Sequence, residues 1–253
     1  MTIYTYDGSF MGFLSVVFEI YETKRIPSAI VCDNEYQTDF FSEVSFVKTD
    51  EAKAERVERK LIHHLGNDGF SRILSAFSCG VDSSRKGLII FNFIRLVLKH
   101  GGSVCEMYNL HAVSEFNSLA HKTDKEAHYM QGFLRFRIVS DGTLIAEYAP
   151  DNDITHFLIP YFSHRNAENR FIIRDTNREI YGLYNGSEWT LASNEPRLAR
   201  IFEDIAYSED ELVFRELWQQ YYDTVSIASR KNERMRSQFM PRRYWKYLTE
   251  IVI

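Results

Sequence analysis

Between Gly132 and Phe157 the chain reads GFLRFRIVSDGTLIAEYAPDNDITHF, and its apolar period changes from helical to alternating. A helix is expected to end at Gly132, with a strand starting at once. Leu134, Phe136 and Ile138 alternate with Phe133, Arg135 and Arg137, which is the two-residue period of a strand. Asp141–Gly142 turns the chain into a second strand. A two-residue turn would set Glu147 opposite Phe136. A three-residue loop with Gly142 left-handed sets Glu147 opposite Arg135 and Tyr148 opposite Leu134. The second register keeps charge with charge and apolar with apolar, so it is the expected one. It predicts an Arg135–Glu147 pair on one face of a sheet.

A chain of 253 residues that is 45% hydrophobic can bury a substantial core. Its formal net charge of −5 excludes a global basic field, so contact with nucleic acid needs a local patch. Cys32, Cys79 and Cys105 lie far apart, without the paired spacing of a zinc ribbon or a cluster site, and suit a reducing compartment. No metal and no cofactor is expected. The start, MTIYTYDGSF, lacks the pattern of a signal peptide, and no apolar run reaches the length of a membrane span. A cytoplasmic protein without membrane association is the expectation. It is read as one domain over 1–253, subdivisible into a helical α/β part, 1–108, and an α+β part, 109–253.

Along the chain, Ile3–Tyr6 reads as a strand, and Ser9 caps a helix from Phe10 to about Arg25. Ala29–Cys32 and Val44–Val47 are further strands. A charged helix from Thr49 closes at Gly66, with His63 and His64 at its end as caps. Phe70–Phe77 and Arg85–His100 follow as helices, the second largely buried. A helix over Leu110–Gln131 places His121, Asp124 and His128 on one face, read as a polar face rather than a metal site. Asp153 is expected to cap a short helix to about Ser163. Phe171–Asp175, Arg178–Tyr184 and Glu188–Ala192 read as three antiparallel strands, and a two-residue Asn185–Gly186 turn would set Trp189 opposite Gly182. The predicted class is α+β: an antiparallel sheet with helices packed on one face, plus a helical segment.

Ser208–Glu211 reads as a capping box opening a long helix, with Phe214, Trp218, Tyr221 and Val225 on its inner face. From Arg230 to Lys246 the polarity reverses. Arg230, Lys231, Arg234, Arg236, Arg242, Arg243 and Lys246 stand against Glu233, interleaved with Phe239, Tyr244, Trp245 and Tyr247. This composition suits nucleic acid. It equally suits a docked tail whose aromatics are buried and whose arginines pair with acids.

The opening YDGSFMGFLSVVFEIY, the central EAHYMQGFLRFR, the segment FSHRNAENRFIIRD and the ending LWQQYYDTVSIASRKNERMRSQFMPRRYWKYLTE resemble a bacterial family described as DNA metabolism or DNA repair proteins. The resemblance spans essentially the whole chain, and is vaguest over 48–108. It implies a gene neighbour encoding a radical-SAM protein, and fusion to a uracil-DNA glycosylase in some relatives. It carries no catalytic residues across. The chain lacks a radical-SAM cysteine triplet, so cluster chemistry would belong to the partner.

Three functions are therefore weighed. The first is a DNA-binding accessory protein, with Arg135, Arg137, Arg165, Arg230 and Arg243 on phosphates and Tyr244 or Trp245 stacking on a base. The second is an enzyme acting on a nucleotide or damaged base. Glu126 and His128 are its best acid–base candidates, with Asp175 and His156 as secondary ones. The third is a protein–protein adaptor that docks through the basic, aromatic tail.

Overall fold

A computed structural model describes residues 2–36, 43–203 and 205–251. The chain forms two compact units, Met1–Lys125 and Glu126–Ile253. The division falls inside a helix, His111–Phe133.

In the first unit, β1 (Thr2–Tyr6) lies between β2 (Pro27–Cys32) and β3 (Glu43–Phe46), and both pairings are parallel. The helix α1 (Phe10–Thr23) opens at Ser9, whose hydroxyl accepts from the Gly12 N–H at 2.9 Å. Phe13, Leu14, Val17 and Ile20 bury its apolar stripe. A second helix, α2 (Glu51–Phe77), is broken at Gly66, where φ is 69° and ψ 177°. The expected stop at Gly66 and the expected helix beyond it are thus two arms of one kinked element. Next, α3 (Ser83–His100) presses on β2 at Gly87, where a Cβ would meet the Ile30 carbonyl oxygen at 2.4 Å. Phe93 stacks on Phe116 with ring centroids 3.7 Å apart. Phe116 belongs to α4 (His111–Phe133), whose first half completes this core and whose second half starts the second unit.

The second unit is built on β4 (Arg137–Ile138), β5 (Leu144–Tyr148), β6 (Phe171–Asp175), β7 (Ile180–Tyr184) and β8 (Trp189–Ser193), in that spatial order. The sheet is mixed, not antiparallel, because β5 and β6 run parallel. The helix α5 (Thr155–Arg165) joins them, so the unit contains a strand–helix–strand crossover where a plain meander was expected. Nor are helices confined to one face. Ala146, Tyr148, Phe171 and Ile173 pack with Leu158 and Ile159 of α5. Ile145 and Tyr181 pack on the opposite side with Phe202 of α6 (Pro196–Glu203).

The central hairpin keeps the expected register. Arg137 faces Ile145, Ile138 faces Leu144, and Gly142 in the loop has φ 81°. The ladder is short, however. α4 runs on to Phe133, and residues 134–136 are irregular. The second hairpin departs from expectation: Tyr184 pairs with Trp189 and Gly182 with Leu191. The Asn185 side chain accepts from Ser187 N–H, Ser187 Oγ and Glu188 N–H, which stabilises a four-residue loop over a two-residue turn. The α5 cap is Ile154, with no side-chain bond, rather than Asp153.

Ser208 caps α7 (Glu209–Val225) by accepting from Glu211 N–H at 3.2 Å. The reciprocal half of the capping box is diverted. Glu211 accepts from Ile138 N–H at 2.8 Å and from Arg215 Nε at 2.8 Å. The aromatic stripe placed on an inner face lies outside instead: Phe214 is 57% and Tyr221 58% exposed. After α8 (Glu233–Phe239), a tight turn over Arg242–Tyr247 brings Tyr244 into the core at 2% exposure.

Candidate functional site

Glu126 projects from α4 into a dense set of donors. Its carboxylate accepts from Asp151 N–H at 2.9 Å, Asn152 N–H at 2.8 Å, Asn152 Nδ2 at 2.6 Å and the Tyr244 hydroxyl. Arg243 Nη2 lies 3.6 Å from the same carboxylate and 2.6 Å from Asp151. Burial, with the Glu126 charge beside it, pushes the Tyr244 phenol well above its ordinary value.

Asp175 holds the other side of the same loop through Asn177 and Arg178. It is fully buried, accepts from Asn177 and Arg178 N–H, and pairs with Arg178 Nη1 at 3.1 Å. Arg178 in turn donates to the carbonyls of Pro150 and Asp151. Burial raises the Asp175 carboxyl above its ordinary value, against the opposing pull of Asn177 N–H and the Arg178 charge. Glu126 and Asp175, both acid–base candidates, thus hold the 150–152 loop through saturated hydrogen-bond sets. His128 is exposed on α4, with its ring 6.4 Å from that of Tyr129. His156 lies 3.9 Å from Asp153. Among the described residues, no group of three or more His, Cys, Asp or Glu side chains could hold a metal ion.

The expected Arg135–Glu147 pair is exchanged for two others. Glu147 pairs with Arg137 at 2.8 Å and Arg174 at 3.3 Å, and Arg137 also donates to the Tyr207 hydroxyl at 2.6 Å. Arg135 holds Glu250 in a two-pronged pair at 2.6 and 3.2 Å and lies 5.6 Å from the Trp218 ring. The Trp218 indole N–H donates to Glu250 at 3.1 Å. Burial works against ionisation of Glu250, but the Arg135 and Trp218 hydrogen bonds outweigh it and hold the carboxyl below its ordinary value. Hairpin and tail do meet here, but as cation and carboxylate rather than as paired cations.

Beside this pair opens a cavity of about 550 Å³ lined by Gln131, Arg135, Phe136, Phe162, Arg165, Asn166, Glu211, Phe214, Arg215 and Trp218, among others. Arg165 is exposed and makes no ion pair among the described residues. Its Nη1 lies 3.3 Å from the Tyr161 hydroxyl. In the tail, Trp245 is partly buried. Its indole donates to the Met240 carbonyl at 2.9 Å, with Arg236 and Arg242 4.4 and 5.6 Å from its ring. Arg230, Lys231 and Arg234 are exposed and form no ion pair among the described residues. The predicted set therefore divides. Arg135, Arg137, Arg243 and Tyr244 are committed inside the unit, whereas Arg165 and Arg230 stay open.

Residues 84–250 match DUF4130, a domain of unknown function. The chain belongs to the DUF4130 family. The match extends from α3 through Glu250 and includes every residue of the site just described. No curated protein matches the chain.

Several DUF4130 site residues were not foreseen. Glu250 sits in the apolar run YLTEIVI, where a carboxylate demands a partner, and that was the available signal. Gln131 and Asn166 gave none, because a surface amide looks the same whether or not it lines a cavity.

Proposed function

We propose that this DUF4130 protein acts in DNA metabolism or repair as a nucleic-acid-binding accessory to a radical-SAM enzyme. The family resemblance supplies the DNA context and the enzyme partner. The observation that carries the binding claim is a contrast in pairing. Arg135, Arg137, Arg174, Arg178, Arg215 and Arg243 are each matched to a carboxylate. Arg165, Arg230, Lys231 and Arg234 are exposed and unmatched among the described residues. Phosphate contacts are assigned to these four, with Phe214 and Trp218 on α7 available for stacking.

The test is anisotropy of labelled single-stranded and duplex DNA across a salt series. The expected result is a log affinity falling with log salt, and weaker binding when Arg165 or the Arg230/Lys231/Arg234 group is changed to Ala. No binding at low salt, or a slope near zero, removes the reading.

A protein-docking role is favoured by a separate observation. Val213, Leu217, Tyr221 and Val225 on α7 are each more than half exposed and share one side of the helix. Val213→Ser with Leu217→Ser, which add no charge and leave the aromatics in place, should abolish co-purification of the enzyme partner while sparing DNA affinity. Retained co-purification would exclude this face.

A further inference from the structure

We propose that the cavity beside the Arg135–Glu250 pair receives one unpaired nucleobase of a single strand, with the adjoining phosphodiester on Arg165. The inference rests on the nucleic-acid reading above and gives it a location and a mode.

Charge selects the ligand class. Glu250 cancels Arg135, and Glu211 cancels Arg215, so these arginines stiffen the walls without attracting an anion. Arg165 is left as the uncompensated charge on the lining. One positive charge matches the single negative charge of a phosphodiester.

Shape and surface select a flat, partly apolar body. A volume of about 550 Å³ falls within the range of small-molecule sites. Phe214 and Trp218, one helical turn apart on α7, are 57% and 40% exposed. Trp218 is held in place by its bond to Glu250 and by the Arg135 guanidinium. A fixed, open indole is a stacking platform that needs no reorganisation.

The polar edge selects a base over a plain aromatic acid. Gln131 and Asn166 line the same cavity, and their side-chain amides make no hydrogen bond among the described residues. Each amide offers donors and an acceptor, the pattern that reads the edge of an unstacked base.

The experiment uses the full chain and two short single-stranded oligonucleotides of equal length. One carries a central 2-aminopurine, and the other an abasic residue at that position, so their phosphates are identical. Tighter binding of the base-bearing strand, about tenfold or more, is expected, with a change in 2-aminopurine fluorescence. Phe214→Ala, at a largely exposed position, should cut that preference several-fold, leaving the part that Trp218 supplies, and leave the salt slope unchanged. Trp218→Phe, which keeps a ring but loses the Glu250 bond, should keep most of it. Arg165→Gln should weaken both strands and lower the slope by about 0.7, the share of one single-strand phosphate. Equal affinity for the two strands, with a normal salt slope, overturns the pocket proposal and leaves nucleic-acid binding standing. Absence of binding to either strand overturns both.

Discussion

The Tyr244 hydroxyl donates to the Glu126 carboxylate across 118 residues of sequence. The bond ties the basic tail to α4 and makes the Tyr244 ring part of the core instead of a binding platform. Its other partners, Asp151 and Asn152, anchor the loop that follows β5.

Removing Glu126 should therefore be costly for stability. Glu126→Ala strands the Tyr244 hydroxyl and two backbone N–H groups beside the Arg243 guanidinium. A loss of about 3–5 kcal/mol is expected. Tyr244→Phe removes one charge-assisted bond and should cost about 1.5–3 kcal/mol. Urea midpoints at unchanged m value measure both. An unchanged midpoint for Glu126→Ala would refute the assigned role.

Glu250 makes stability depend on pH with a definite sign. Its folded carboxyl ionises below its ordinary value, so the stabilisation is present above the unfolded pKa and is lost as pH falls through the folded one. Asp175 acts oppositely: its raised value makes stability decline as pH rises through the range between its unfolded and folded values. Thermal unfolding of wild type and Glu250→Gln across the acid range should show a gap that narrows towards low pH. A gap constant with pH would contradict the Arg135 pairing.

Two glycines should respond to Ala for different reasons. At Gly182 a Cβ would lie 2.4 Å from Ile159 Cδ1 in the packed interior, and about 1–3 kcal/mol should be lost to overpacking. At Gly142 nothing lies within 4 Å, but φ is 81°, so a penalty of about 1 kcal/mol should come from the backbone alone. Gly142→Asn should recover part of that, and Gly182→Asn none. Melting temperatures of the four variants distinguish crowding from conformation.

Truncation before Pro241 should unfold the second unit. It removes Tyr244 and Leu248, 2% and 0% exposed, together with Glu250. Loss of near-ultraviolet dichroism and rapid proteolysis of 126–240 are expected. A folded truncation product would show the tail to be dispensable.

The sequence was most legible where local rules act alone. The Ser9 and Ser208 caps, the Gly66 break and the three-residue loop at Gly142 are each decided by a few neighbours. The parallel β5–β6 pair was not legible, because strand direction depends on where α5 carries the chain. Trp189 was misplaced because Asn185 can bind backbone N–H groups on either side of a turn choice. The α7 stripe has the periodicity of a buried face yet lies outside. Hydrophobic spacing reports which residues share a face, not whether anything covers it. Most of the candidate residues carry charge, and charge draws carboxylates to most of the arginines among them. Neither Glu250 nor Glu211 could be assigned as a partner before the chain was folded.

The Arg135–Glu250 clasp spans 115 residues of sequence. At ribosomal rates of about 5–20 residues per second, its two halves emerge roughly 6–23 s apart. Trp218 precedes Glu250 by 32 residues, so for the last part of that interval its indole has no carboxylate to orient it and the neighbouring wall remains unlocked. The wall of the cavity at Trp218 is thus completed only once Glu250 has been made, after every strand of the sheet beside it.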